Sequence, residues 1–433
     1  MIELDNRFPE LGEWKSFEEL ENIHDRYIED NLNHAYKLPF YKELISNYSN
    51  SLKLTDFPII TKEDLRRAYP FGMLAVPKEK LSSYHESSGT TGNPTSSYFT
   101  ENDWNDIASR FNRNRVNLSE QDTVMIKTPY AMLTTAHQMH KAALLRKATI
   151  VPADNRSSIT TYTRVIKLLR DIQISVAWCM PTEPLFWAKT AKLNGYDPKI
   201  DFPNLREFLV AGEALNPKKR ERMESIWGNI KISQDYGSTE TGSLAGECSH
   251  GNLHLWADRF IFEVYDADEG ILKREGEGQL VVTSLFREAM PLIRYNLGDF
   301  VRVTYESCDC NWNLPKIEII GRNSTPIIQH KKLFPNKLEE LIYDLPEENE
   351  IYFWRGKYDK DRLIVELETS SDISDVSAKL KSDIMDHLQI NAEVKVVPSG
   401  TLVPDEILLA QNQFAKPKFL FADNEDWSKA ILY

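Results

Sequence analysis

This chain has little of what a secreted, membrane-spanning or nucleic-acid-coating protein needs. It carries four cysteines in 433 residues (Cys179, Cys248, Cys308 and Cys310), too few to staple an extracellular scaffold. No stretch approaches the roughly 18 consecutive apolar residues of a bilayer-crossing helix. The amino-terminal MIELDNRFPELGEWKSFEEL has no basic segment leading into an apolar run, so no secretory signal is expected. These absences predict a cytoplasmic protein with no membrane partner. Basic blocks are equally scarce: RKAT at 146–149, KKR at 218–220 and HKK at 330–332 are short and scattered, and 52 Lys and Arg against 65 Asp and Glu leave a net charge of −13. Tracking a nucleic-acid backbone takes many Lys and Arg contacts to phosphate, so no nucleic-acid partner is expected. A local phosphate site stays compatible with this charge, because metal ions and backbone dipoles act at short range.

What is present is enough apolar material for a real core, 41% of residues, in a chain long enough for at least two domains. Residues 16–48 read as helical, with Pro39 opening a second helix. Thr61 caps a further helix whose first turn holds Glu63 and Asp64. Between about 120 and 240, strand-like runs (TVMIK, ATIVP, ISVAWCM, LREFLVAG) alternate with helical ones (HQMHKAALLRK, TTYTRVIKLLRDI, NPKKRERMESIW). That alternation predicts α/β architecture with a mainly parallel sheet, whose ligands enter at the carboxyl ends of the strands. Residues 251–320 are rich in β-formers between Gly and acidic turns, which predicts an antiparallel or barrel-like region. The remaining stretch reads as a small α+β unit of about 110 residues, the size of a separate domain. No solenoid-scale repeat is evident.

The sharpest motif is Ser87-Ser88-Gly89-Thr90-Thr91-Gly92-Asn93-Pro94-Thr95. Its glycines permit tight turns, and its amides and hydroxyls can surround phosphate oxygens. The spacing is not that of a Walker A loop. YHESSGTTGNPTSSYFT resembles the phosphate-binding signature of the adenylate-forming enzymes, the acyl-CoA synthetases and adenylation domains. LPFYKELI, ITKEDLRRAYPFGMLAVPKE and HESSGTTGNPT together resemble the phenylacetate–CoA ligase branch, over nearly the whole chain from about residue 30. One departure is Asn93, where the family often has Lys.

The resemblance implies a large domain over 1–320 that binds ATP and acid, and a small mobile lid over 321–433. Ser87, Ser88, Gly89, Thr90, Thr91 and Gly92 would hold phosphate. Gly212, Glu213 and Ala214 would lie along the adenine and the acyl group. Gln234-Asp235-Tyr236-Gly237-Ser238-Thr239-Glu240 matches the family's Tyr-Gly-x-Thr-Glu signature: Tyr236 against adenine, Thr239 on the α-phosphate, Glu240 on Mg²⁺, with Asp235 and Gly237 in the same nucleotide loop. Asp299 would take the ribose hydroxyls, with Arg322 beside it. Lys416, in QFAKPKFLFADN, would swing in with the lid as the catalytic cation, although Ala415 and Pro417 depart from the family context.

The implied reaction is ATP-dependent activation of a carboxylic acid to acyl-AMP with release of pyrophosphate, then transfer to a thiol. CoA and a phosphopantetheinyl carrier protein, the latter loaded with an amino, hydroxy or aryl acid, both remain open as acceptor, because His330-Lys331-Lys332 and Asn323-Ser324-Thr325 replace the family's residues near the tunnel and hinge. A catalytically weak nucleotide-binding homologue is a third reading. The acid would lie near Tyr130, Ala136, His137, His140, Trp178 and Ala211, where MLTTA replaces the usual glycine-rich stretch. Three thiolates and an imidazole can close a tetrahedral zinc site. Cys248, His254, Cys308 and Cys310 are the expected structural zinc ligands, with His250 competing for the imidazole position and Cys179 expected in the core.

Overall fold

The computed structural model describes residues 8–45, 51–87, 94–155, 157, 159–228, 230–322, 325–358, 360–369 and 374–410. In chain order the strands are β1 (Ser83–Glu86), β2 (Ser96–Phe99), β3 (Thr123–Ile126), β4 (Thr149–Pro152), β5 (Val176–Cys179), β6 (Glu207–Val210), β7 (Lys231–Ser238), β8 (Gly242–Glu247), β9 (Leu253–Leu255) and β10 (Phe260–Asp266). They continue as β11 (Ile271–Lys273), β12 (Gly276–Ser284), β13 (Tyr295–Thr304), β14 (Lys316–Arg322), β15 (Ile327–Ile328), β16 (Lys331–Lys332), β17 (Phe353–Tyr358), β18 (Leu363–Thr369) and β19 (Ala392–Pro398).

Twelve of these strands form one open mixed sheet in the order β11-β10-β12-β13-β14-β9-β8-β7-β6-β5-β3-β4. From β4 to β7 the pairing is parallel. The short apolar runs of the sequence become strands covered on both faces, and the pleat sorts their side chains. Val124, Ile126, Val176 and Trp178 join one core, with the helix Thr135–Leu145. Met125, Ala177, Cys179 and Phe208 join the opposite core, with Tyr162–Asp171 and Glu183–Leu193. In Tyr162–Asp171, Val165, Ile166, Leu168 and Leu169 are buried. Each such side chain stabilises the fold by about 1.5–3 kcal/mol. At the edge, β4 is only half-buried and ends at Pro152, a residue that edge strands tolerate.

β7 joins the two halves of the sheet. Lys231–Gln234 pairs in parallel with β6, and Asp235–Ser238 pairs antiparallel with β8. The region over 251–320 is antiparallel, as its pattern predicts. Among the described residues it continues the same sheet, with β11 and β4 at the edges, instead of closing into a barrel. The last strand of this sheet in chain order, β14, runs to Arg322.

Beyond it, β17-β18-β19 form a separate three-stranded sheet. β17 and β18 are antiparallel, while β18 and β19 are parallel and joined through the helix Ser374–Leu388. This unit rests on the helix Pro217–Ile226. Lys219 Nζ lies 2.9 Å from Glu339 Oε1, and Arg222 donates to the Tyr343 carbonyl at 3.2 Å. Tyr343, Tyr352 and Phe353 pack into the same core as Trp187, Phe208 and Trp227. Among the described residues, no helix is long and apolar enough to cross a membrane.

Candidate active site

In the parallel half, β3 lies between β4 and β5, so the chain reverses its direction of travel at β3. Open sheets leave a crevice for ligands at the carboxyl ends of strands flanking such a reversal. The loops after β3, β5 and β6 and the second half of β7 lie at this end, and they hold most of the residues singled out in the sequence.

The β7–β8 hairpin carries Thr239 and Glu240. Gly242 opens β8 at a φ of +67°, a conformation that favours glycine. A Cβ at Gly237 would stand 2.1 Å from the Gly242 carbonyl oxygen, so the strands approach more closely than any side chain there allows. The turn is braced from below by Arg110, which sequence reading missed. Its Nε donates to the Ser243 carbonyl at 2.7 Å and its Nη2 to the Thr241 carbonyl at 2.8 Å, while Nη1 pairs with Asp106 one helical turn away. The Asp106–Arg110 spacing on a helix was the available signal.

Glu240, only 3% exposed, is the node of the site. Thr95 Oγ1 donates to its Oε1 at 2.7 Å, and the Ser87 hydroxyl bonds Thr95 Oγ1 in turn. Ser87 N also donates to the Thr95 carbonyl at 3.0 Å, closing the base of the glycine-rich loop. Lys62 Nζ lies 3.8 Å from the same Glu240 oxygen. The Thr61 capping box aims this lysine: Asp64 Oδ2 accepts from Thr61 N at 2.7 Å, and Thr61 Oγ1 accepts from Asp64 N at 3.4 Å. Lys62 brings a cation to Glu240, and only the tertiary fold brings it there.

Tyr236 OH donates to Asp299 Oδ2 at 2.7 Å, and Arg322 Nε donates to Asp299 Oδ1 at 3.2 Å. Burial pushes the Asp299 carboxyl above its ordinary range, opposed by the phenol and the guanidinium. Arg322 is the solvent-facing member of the three, its side chain 78% exposed. After β6, Gly212 turns at a φ of +89°, and Glu213 Oε2 accepts from Thr182 N at 3.1 Å, tying the β6 loop to the β5 loop. Ala214 follows, half-buried.

Tyr130, His137 and His140 gather after β3. His137 Nε2 lies 3.0 Å from the Tyr130 carbonyl, and His140 Nδ1 lies 3.1 Å from the Tyr130 hydroxyl. Four other named side chains point inward. Trp178 is fully buried against Phe111 and donates to the Thr135 carbonyl at 2.9 Å. Ala136 is fully buried beside it. Asp235 faces the interior, where it accepts from Ser243 Oγ at 2.6 Å and Gln138 Nε2 at 3.3 Å; burial pushes its carboxyl up to about 8. Ala211 is buried at the end of the same core.

At the far side of β8, the ligand atoms of Cys248, His254, Cys308 and Cys310 lie within 4.8 Å of one another. Cys248 Sγ and Cys308 Sγ are 3.9 Å apart, and Cys310 Sγ is 3.5 Å from His254 Nε2. The Leu314 carbonyl, 2.8 Å from His254 Nδ1, can only accept; Nδ1 therefore carries the proton and Nε2 turns its lone pair toward the thiols. His250 is exposed and within 3.2 Å of Ser249 Oγ, outside the cluster.

Residues 75–282 match the AMP-binding enzyme family. The chain is 30% identical to phenylacetate-coenzyme A ligase of Thermus thermophilus over 327 residues, 72% of each chain. It is 28% identical to the Escherichia coli enzyme of the same name over 422 residues, 91% of this chain and 94% of that one. This chain belongs to the adenylate-forming superfamily, in its phenylacetate–CoA ligase-like branch. Its fold is similar to that of 2-hydroxyisobutyryl-CoA ligase in the postadenylation state in complex with 2-HIB-AMP. That likeness has a TM-score of 0.79 at 19% identity and covers 97% of this chain and 94% of that one.

For this adenylate-forming chain, Ser88 to Asn93, Asn323, Ser324 and Lys416 fall outside the described residues. Besides Arg110, sequence reading passed over Lys62, Thr95 and Gln138. Thr95 closes the quoted loop and Lys62 follows the recognised cap, so both signals were present but carried no partner.

Proposed function

We propose that this adenylate-forming chain activates a carboxylic acid with ATP and passes the acyl group to a thiol. A carboxylate oxygen of the acid attacks the α-phosphorus, the bond to the bridging oxygen breaks, and pyrophosphate leaves. The thiol then attacks the acyl carbonyl, and AMP departs with the carboxylate oxygen. The protein needs no nucleophile of its own; it must align the partners and stabilise charge on the transferring group.

The observation that carries this reading is the convergence of Tyr236, Asp299 and Arg322 on one side of the hairpin turn with Ser87, Thr95, Lys62 and Glu240 on the other. Tyr236 would flank the adenine, Asp299 take the ribose hydroxyls, and Thr239 donate to the α-phosphate. A single buried carboxylate beside a phosphate loop suits Mg²⁺, which keeps phosphate oxygens and waters as its other ligands. Glu240 would hold it, and the ion would supply charge neutralisation. Lys416, carried by a lid over 321–433, would reach the α-phosphate when the lid closes.

Acid-dependent ATP–pyrophosphate exchange tests the first half-reaction; no exchange with any acid would end this account. Lys416→Ala is expected to lower exchange by about 100-fold or more while ATP still binds, and an unchanged rate would remove the lysine from the mechanism. Lys62→Ala should raise the KM for ATP by roughly tenfold with a smaller change in kcat, since a half-exposed cation acts weakly. An unaltered KM would make Lys62 a surface residue only.

CoA is the proposed acceptor, on the strength of the ligase relatives. A carrier protein is the second reading, favoured by the exposed His330, Lys331 and Lys332, which suit an acidic partner surface. Thioester formation with CoA against a phosphopantetheinylated carrier separates the two. The cysteine cluster is proposed to hold structural zinc. A tetrahedron with Zn–S bonds of about 2.3 Å has S···S edges of about 3.8 Å, close to the 3.9 Å between Cys248 and Cys308.

A further inference from the structure

We infer that the acid taken by this site carries a hydrogen-bond donor, a hydroxyl or an amino group, and that His137 receives it. The inference rests on the adenylation reading and specifies its substrate class.

The position follows from the chain on either side. His85 lies in β1, two residues before Ser87 and the root of the glycine-rich loop. His137 lies in the first turn of the helix Thr135–Leu145, beside Gln138, which donates to Asp235 next to Tyr236. The rings of His85 and His137 are 5.1 Å apart and nearly perpendicular, and Tyr130 meets His137 at 5.4 Å. The imidazoles therefore stand between the phosphate-loop root and the strand carrying Tyr236, at the reversal point of the parallel strands.

Hydrogen bonding sets the chemistry that this cluster presents. His137 Nε2 faces the Tyr130 carbonyl at 3.0 Å. A carbonyl only accepts, so Nε2 carries a proton and, in the neutral ring, Nδ1 is an acceptor. His137 is partly exposed, and its Nδ1 has no hydrogen-bond partner among the described residues. Each neighbouring ring is tied through one nitrogen: His85 Nε2 lies 2.8 Å from Ser83 Oγ, with its Nδ1 buried and unpartnered, and His140 Nδ1 lies 3.1 Å from the Tyr130 hydroxyl. Burial pushes the His85 imidazole down to about 4, and it lowers His140 as well. These flanking rings are uncharged at neutral pH. A purely apolar acid seated here would strip water from Nδ1 and return nothing, whereas a donor on the acid would complete it. Sites built to hydrogen-bond a substrate group reject the analogue lacking it far more strongly than apolar pockets sort acids by size.

The test is ATP–pyrophosphate exchange by the full chain on matched acids: mandelate against phenylacetate, salicylate and anthranilate against benzoate, lactate and alanine against propionate. At least one substituted acid is expected to exceed its plain partner by about 100-fold in kcat/KM. His137→Leu should bring that ratio below about tenfold, whereas His137→Asn, whose amide oxygen still accepts, should retain part of it. Should the leucine variant not fold, the wild-type ratio and the asparagine variant carry the test. Equal or better use of the plain acids in every pair overturns the inference and leaves adenylation standing, as does a ratio unchanged in His137→Leu. Exchange with no acid of either kind overturns both.

Discussion

Glu240→Gln should lower acid-dependent ATP–pyrophosphate exchange by about 100- to 1,000-fold, with a much smaller loss of ATP binding. The glutamine keeps the shape and can still accept from Thr95 Oγ1, which now lies 2.7 Å from Glu240 Oε1. It removes the negative charge that would hold Mg²⁺ against the phosphates, and it leaves Lys62 without its partner at 3.8 Å. Because the hairpin is braced independently by Arg110, whose guanidinium holds the Thr241 and Ser243 carbonyls, the turn should keep its form. The effect should therefore appear in kcat and in the magnesium dependence, with little change in melting temperature. A variant that exchanges within about threefold of the wild type would show that the carboxylate does not serve the transferring phosphate.

Cys308→Ala should abolish bound zinc and cost about 3 kcal/mol or more of stability, lowering the melting temperature by several degrees. Cys248 follows β8, His254 sits in β9, and Cys308 and Cys310 lie in the connection from β13 to β14. A metal there would tie the β8–β9 turn to the β13–β14 connection, 60 positions from Cys248 to Cys308. Without it, three thiols and the lone pair of His254 Nε2 would face one another with nothing between them, since His254 Nδ1 is held by the Leu314 carbonyl. The wild-type protein is expected to contain about one zinc per chain, within the closed four-ligand geometry of structural sites. Chelation should reproduce the effect of the substitution. Metal analysis of the purified wild type showing no zinc would end the proposal.

The local elements were legible in the sequence to within a few residues. NPKKRERMESIW became the helix Pro217–Ile226, capped by Asn216, whose side chain accepts from Lys219 N. ISVAWCM became β5, and Thr61 caps its helix as its spacing predicts. Each of these depends on periodicity, capping or turn chemistry within a few residues. The barrel-like alternative over 251–320 could not be resolved in this way, because strand patterning is the same in an open sheet and a closed one. His250 and His254 were likewise equivalent in sequence. The register of β8 with β9, pairing Gly246 with His254, places one in the cluster and leaves the other outside.

The amino-acid sequence alone determined the superfamily and the α/β alternation, and it marked the nucleotide-loop, cysteine and histidine candidates, all of which reside in short contiguous patterns. The fold decided which of them meet. Tyr236 reaches Asp299 across 63 positions, Thr95 reaches Glu240 across 145, and Lys62 approaches that same carboxylate. It also turned Trp178 and Asp235 inward. Such meetings depend on strand order and register through the whole twelve-stranded sheet, a cooperative property that no local run of residues encodes.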